Sequence, residues 1–453
     1  MNIRAVEFFR CVGRQVTLAL IATALLSFGP APAHATTIER VVSAGGIEAW
    51  LVREPAVPLI VVDFAFHGGS SQDPQDKPGV AILAASLLKE GAGDLSAKRF
   101  NEGLENKAIE LDFSAGRDHV RGSLLTLKEN RDVAFDYLRL ALTAPRFDAK
   151  AVERARAQAM SQVRRQTTSP TSMAILHWWE TAFPDHPYGR PVFGTVDSVP
   201  RISIDDLKSY TRRILARETL KIAVVGDIDA EALGRLLDRA FGALPAMSEL
   251  QPVADVNPQG VGRHIFNQLD VPQSVVLFGG PAIARTDPDF MAAFIVNHVL
   301  GYGSSSRLYR NVREKRGLTY KISESLLWLR HASIFLGDTS THAEAAGETI
   351  GIIESEIHRM AESGPTEKEL AEAKSFLRNS FVLGLDTSSK IASLLVQMQL
   401  ANLGMDYIQR RPGLIDAVTL DDTRRVAKRL LGPGLLITVA GRPLGIASKE
   451  TGN

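Results

Sequence analysis

Cysteine is almost missing from this sequence of 453 residues, where Cys11 stands alone. Internal disulfides, thiolate metal clusters and dithiol redox pairs are therefore excluded. An excess of charge of one sign is missing too: 52 Lys and Arg stand against 51 Asp and Glu, net +1. No overall basic field exists to hold a phosphate backbone, so nucleic acid is not an expected partner. The mix of 45% hydrophobic and 23% charged residues excludes a disordered chain. At ~150 residues per domain the length accommodates about two to three domains that need no staples.

Membrane-spanning runs of ~20 apolar residues are absent as well. The run from Val16 to Phe28 is shorter, follows Arg4, Arg10 and Arg14, and precedes Ala33-His34-Ala35. This is the pattern of a secretory signal peptide covering residues 1–35. Its removal takes away three Arg, one Glu and Cys11, leaving 49 basic and 50 acidic residues, net −1. The mature chain is expected to be exported, to the periplasm or beyond the cell, and to be held together by packing alone.

Two similar halves are present. Val57 to Phe64 reads as a strand, followed by Gly68-Gly69, an Asp/Pro turn and the apolar run Val80 to Leu88. Val271 to Phe278, Gly279-Gly280, Asp287-Pro288-Asp289 and the apolar run Phe290 to Leu300 repeat it, with the strands offset by 214 residues. Leu220 to Gly226 returns as Leu435 to Gly441, offset by 215. Such a spacing predicts a duplicated domain rather than a short-period solenoid. The domains are placed at 36–244 and 262–446, joined by the Pro/Gly-containing linker 245–261.

Helix signals agree. Thr366 to Glu369 forms a capping box opening a helix towards Gly384, and Asp287-Pro288 opens one that Gly301 ends. Strands flank runs of consecutive helices, so the expected class is α+β: two homologous sandwiches, each a mostly antiparallel sheet packed with helices.

Gly301 to Tyr320 (GYGSSSRLYRNVREKRGLTY) resembles the second-half signature of the pitrilysin/insulinase-type zinc peptidases, which include mitochondrial processing peptidase. His186 to Thr195 (HPYGRPVFGT) resembles a first-half segment of the same family. Catalytic members carry H-x-x-E-H, with two His ligands and a Glu base on one helix. Here that stretch is Gly79 to Leu88, and alignment by its leading Gly puts Ile82 and Ser86 at the His positions and Ala85 at the Glu position. The family's third ligand is a Glu from the helix opened by an E-R pair, matched by Glu153-Arg154, yet no Asp or Glu occurs from Arg154 to Trp179. Neither H-x-x-E-H nor H-E-x-x-H occurs anywhere. The resemblance thus implies a chain without metal of its own.

The family's second-half pair survives as Arg313 and Tyr320, seven residues apart. In the family such a pair donates hydrogen bonds to the bound peptide. Arg313 is expected in the last turns of a helix ended by Gly317, with Tyr320 opening the next strand; a solvated helix end and an ordinary strand aromatic is the plainer alternative. Bacterial members often divide zinc and the Arg/Tyr pair between two polypeptides. The resemblance therefore implies a non-catalytic, zinc-free subunit, inactive alone, that forms a heterodimer with a zinc-bearing subunit and helps bind unfolded peptide for proteolysis. A peptide-binding or structural scaffold without a role in proteolysis is the alternative.

His177, Glu180 and His186 form the only other cluster that suggests metal, and aromatic packing is its default reading. His67 is expected at a strand end, while His119, His298, His342 and His358 receive no role. The Gly301 to Ser306 loop lacks the Lys of a phosphate-binding loop and is expected to be a turn.

Overall fold

The structure is a computed structural model that describes residues 37–442. The expected signal peptide at 1–35, Cys11 and the end of the second expected domain lie outside the described residues. No described helix is long and apolar enough to cross a membrane.

In the first half β1 (Glu39–Val42), β2 (Glu48–Arg53), β3 (Leu59–His67), β6 (Glu110–Ala115), β7 (His119–Leu127) and β8 (Lys221–Gly226) form a sheet in the order β1-β2-β8-β3-β7-β6. The short strands β4 (Gly91–Ala92) and β5 (Leu95–Ser96) pair separately. In the second half β9 (His264–Gln268), β10 (Gln273–Pro281), β11 (Thr319–Trp328), β12 (Ser333–His342) and β13 (Leu436–Gly441) form a sheet in the order β11-β12-β10-β13-β9. Parallel pairing joins β2 to β8 and β9 to β13; β3 with β7 and β8, and β10 with β12 and β13, are antiparallel.

The duplication holds at the level of register. β3 and β10 both have nine residues and are offset by 214; β8 and β13 both have six and are offset by 215. Phe64 lies opposite Gly122, and Phe278 opposite Gly337. A Cβ would fall 2.2 Å from the Phe64 ring in one half and 2.3 Å from the Phe278 ring in the other, so each sheet seats an aromatic ring over a bare glycine. One detail of the repeat differs from expectation: Gly68-Gly69 follow β3, whereas Gly279-Gly280 lie inside β10. A Cβ at Gly279 would stand 2.9 Å from the Trp178 ring, and that close approach explains a glycine in mid-strand.

Helices α1 (Val80–Leu87), α2 (Ala97–Glu105), α3 (Arg131–Thr143), α4 (Ala149–Thr168), α5 (Pro170–Ala182), α6 (Ile204–Ile214) and α7 (Ala230–Phe241) belong to the first half. The second contains α8 (Phe290–Gly301), α9 (Ala346–Ser363), α10 (Glu367–Leu383), α11 (Ser388–Leu400), α12 (Tyr407–Ala417) and α13 (Leu420–Leu431). The expected capping box opens α10: Thr366 N–H donates to Glu369 at 2.9 Å, and Glu369 N–H to the Thr366 hydroxyl at 3.2 Å. Boxes built on Ser203 and Thr419 open α6 and α13 in the same way. Helix α8 starts only at Phe290, because Asp287 and Asp289 are drawn to Arg425 and Arg429 of α13 at 2.7–2.8 Å.

Strands β8 and β13 are almost wholly buried, which requires cover on both faces of each sheet. One face carries the half's own helices: Ile60, Val62 and Phe64 join a core with α1, α3, α6 and α7, and Val276 and Phe278 join one with α8, α9 and α13. The second cover is exchanged. Helix α11 of the second half lies against β3 and β8, where Gln399 Nε2 donates to Ile222 O at 2.8 Å. Helix α5 of the first half lies against β10 and β13, where Trp178 Nε1 donates to Leu436 O at 3.2 Å and Thr438 Oγ1 donates to Ala174 O at 2.8 Å. Trp178, Trp179, Phe183 and Tyr188 pack with Val275, Leu277, Ile334 and Leu436 in a core built from both halves. Removing a ring such as Trp178 should cost about 3–5 kcal/mol.

Candidate functional site

Helix α1 carries no capping side chain on its own N-terminal residue, Gly79. The cap comes from upstream: the Asp73 carboxylate accepts from Gly79 N–H and Ala81 N–H, both at 2.8 Å. Burial pushes Asp73 up to about 7, against the pull of those two N–H groups and of Arg190 and Arg213. The HPYGRP segment supports this cap. Arg190 donates to Asp73 O at 2.8 Å and to Ser71 O at 3.3 Å, and buried Tyr188 donates to Asp118 at 2.6 Å while accepting from His331 N–H at 3.0 Å. Arg330 N–H donates to the other Asp118 oxygen at 2.8 Å. The motif therefore ties α1 to the joint between the halves.

Ile82 and Ser86 lie one turn apart on the outer side of α1, while Ala85 faces inward and is buried. Ser86 Oγ donates to Leu83 O of its own helix at 2.8 Å. On α4, Glu153 is held by Arg156, and no further acid follows on that helix. An alkyl group, a methyl and a hydroxyl already engaged do not fit zinc, which takes imidazole, thiolate or carboxylate ligands. Among the described residues no group of three His, Cys, Asp or Glu could hold a metal ion. His186 cannot lead one: its Nδ1 accepts from Tyr188 N–H at 3.2 Å, and its Nε2 lies 3.0 Å from Ala254 O.

The Arg/Tyr pair is brought together. Tyr309–Glu314 forms a π-helical turn, a wide turn often found at functional sites. It ends at Gly317, whose φ is +63° and whose N–H donates to Arg313 O at 2.9 Å. Tyr320 falls in a bulge, since the register of β11 against β12 shifts between Thr319 and Ile322. Thr319 Oγ1 anchors that bulge, its single O–H lying 2.7 Å from Ser340 O and 2.9 Å from Lys321 O as alternative acceptors. The Tyr320 ring is thereby pushed out and is 86% exposed.

The Arg313 guanidinium sits 4.7 Å from the Tyr309 ring centre and 5.2 Å from that of Tyr320. Its neighbours have structural duties. Arg307 forms a two-pronged pair with Glu369 at 2.8 and 2.7 Å, Arg310 reaches Glu369 at 3.4 Å, and Arg316 donates to Asn311 O at 2.8 Å. The Arg313 guanidinium has no hydrogen bond or ion pair among the described residues. It is a cation oriented by two aromatic rings and free to donate.

The sequence reading missed the Asp118–Tyr188–His331 network and the facing of His67 and His119, whose ring centres are 5.4 Å apart. Tyr188 lay in a recognised segment, but nothing local pointed to partners 70 and 143 residues away.

Comparison with known proteins agrees with this geometry. Residues 52–196 match the family model described as Insulinase (Peptidase family M16), and residues 201–377 match that described as Peptidase M16 inactive domain. The chain is 27% identical over 335 residues to the "Non-peptidase homolog YmxG" of Helicobacter pylori, covering 74% of this chain and 77% of that protein. It is also 27% identical to an "Uncharacterized zinc protease" of Streptomyces coelicolor, over 89% of this chain and 90% of the other. A crystal structure titled as a peptidase M16 inactive domain from Pseudomonas fluorescens superposes with a TM-score of 0.84 at 25% identity, covering 91% of this chain and all of that one. The chain belongs to peptidase family M16, the insulinase family, as an inactive, peptidase-like member.

Proposed function

We propose that this chain is the zinc-free subunit of an exported, periplasmic heteromeric peptidase, and that it holds unfolded peptide for a zinc-bearing subunit of the same family. The observation that carries this reading is the unpaired Arg313 guanidinium between Tyr309 and the 86%-exposed Tyr320. A retained scaffold has no need of an uncompensated cation beside an exposed phenol.

Arg313 N–H and Tyr320 O–H would donate to a substrate carbonyl, orient it, and strengthen as negative charge develops on its oxygen. The partner subunit would supply the metal chemistry. Nothing in this chain takes or gives a proton in the bond-breaking step.

The test is cleavage of a quenched, unstructured peptide by this chain alone and by the chain co-expressed with the zinc-bearing subunit, with zinc measured in both samples. Activity and zinc are expected only in the mixture. Arg313→Gln and Tyr320→Phe should each lower kcat about ten- to a thousand-fold, as loss of other oxyanion donors does. A doubly substituted complex with full activity would show that the chain is a scaffold.

A further inference from the structure

A cavity of about 820 Å³ opens where the halves meet, within the size range of small-molecule sites. It lies away from both regions described above. His67, His119 and Arg121 line it, and Arg121 also reaches Asp63 and Ser393 of α11, which places the cavity on the α11 side of the first sheet. Ile82 and Ser86 belong to α1, on the opposite side. Across the cavity stands Trp328 at the far end of β11, eight residues from Tyr320 and thus roughly 25 Å along the strand.

The charges lining the cavity do not balance. Arg121, Arg285 and Arg330 face a single acid, Asp255, which is engaged by His331 at 2.9 Å. Arg121 is paired with Asp63 at 3.2 Å. Neither the Arg285 nor the Arg330 guanidinium has a hydrogen bond or ion pair among the described residues. Arg285 is held by aromatic rings, 5.1 Å from the centre of Trp328 and 5.8 Å from that of Phe290. Three lining atoms, Arg285 Nε, Trp328 Nε1 and His67 Nδ1, are shut off from solvent without a partner. Burial first, and the charge of Arg330 second, hold His67 down at about 3, so the Arg330 cation is felt inside. Trp328, Leu329, Leu400, Ala282 and Ala401 supply apolar wall.

Two unpaired guanidinium groups beside an apolar wall lack one component, an anion with an apolar body. We infer that this cavity binds a small amphiphilic carboxylate, its anionic head between Arg285 and Arg330 and its apolar part against Trp328 and Leu400.

Titration calorimetry of the full chain with 4-phenylbutyrate, its neutral amide and inorganic phosphate tests this. One saturable site with a Kd on the order of 0.1 mM is expected for the carboxylate, with the amide and phosphate each about tenfold weaker or worse. Arg330→Gln, on an exposed side chain, and Arg285→Gln should each weaken the carboxylate about tenfold. Ala401→Phe should block it by filling the cavity, and circular dichroism should report all three variants as folded. Absence of saturable heat up to about 10 mM, equal binding of acid and amide, equal binding of acid and phosphate, or unchanged affinity in a folded Arg285→Gln/Arg330→Gln chain would each overturn the inference.

Discussion

The outer side of α1 and the π-helical turn before β11 are the two places where this fold could carry chemistry, and they have diverged in opposite ways. Around α1 the support survives without the chemistry. Asp73 caps the helix, Arg190 braces the cap, and Gly79 takes a φ of +102°, yet the outward positions are a half-buried Ile82 and an exposed Ser86. Around the π turn Arg307 and Glu369 lock the segment in place, while the Arg313 guanidinium and the Tyr320 ring stand beside each other at its surface. The lesson is that packing and chemistry are maintained by different residues. A helix end must satisfy its N–H groups whatever its outer side does, whereas ligands on that side can be lost at no structural cost.

The largest effect should come from breaking the second region's support. Arg307→Gln takes from Glu369 its two-pronged partner, leaving it the Thr366 N–H and Arg310 at 3.4 Å, and should destabilise the chain by about 2 kcal/mol, while Arg313→Gln should stay within about 0.5 kcal/mol. Urea unfolding of the two variants measures this directly. Equal losses would mean that Arg313 is structural and that the contrast between the two residues is false.

Acid should separate the halves next. His67 and His119 in the first half are held down at about 3 and about 4, chiefly by burial, against an ordinary 6.5. The unfolded chain therefore binds their protons first, and the stability they contribute, complete above 6.5, drains away as the pH falls towards 4 and then 3. Glu369 in the second half is opposed by burial, but Arg307 and the Thr366 N–H outweigh it and bring it to about 2. Its contribution is intact above the ordinary 4.5 and lost only as the pH falls through 2. A His67→Asn/His119→Asn variant should flatten the plot of urea midpoint against pH between about 6.5 and 3 and leave the limb below 3 unchanged; Arg307→Gln should flatten it only between about 4.5 and 2.

The smallest effect is expected from restoring the motif. Ile82→His, Ala85→Glu and Ser86→His rebuild H-x-x-E-H on a helix whose outer positions are free to change. Helix α4 still offers no carboxylate beyond Glu153. Two His ligands without a third should hold zinc only weakly and cleave no peptide, as metal analysis and the quenched-peptide assay would report. Robust cleavage by the isolated triple variant would mean that the first half had lost three side chains and nothing else.

Much of this protein was legible because its signals are local. Strand patterns repeated at fixed offsets, the Thr366–Glu369 box, the turn at Gly317 and the Arg313–Tyr320 spacing each depend on a few neighbouring residues; the box and the turn lie where the pattern placed them, and the strands keep their offset with ends shifted by two or three residues. The absence of an H-x-x-E-H pattern and of any acid between Arg154 and Trp179 was equally plain, because a missing carboxylate needs no coordinates to be noticed. What the sequence concealed depends on register and on long-range packing. His67 faces His119 only because nine consecutive pairs align β3 with β7, and a slip of one residue would turn those side chains to the other face. The exchange of α5 and α11 places Trp178 under β13 and Gln399 beside β8, partners 258 and 177 residues away. The duplicated α+β framework, the absence of an H-x-x-E-H pattern and the seven-residue Arg313–Tyr320 spacing are readable along the chain, because each depends on local pattern. Tertiary structure alone decided how the halves cover each other's sheets and that Arg285, Arg330 and Trp328 meet around one cavity, since side chains that converge from separate strands and turns leave no periodic trace along the chain.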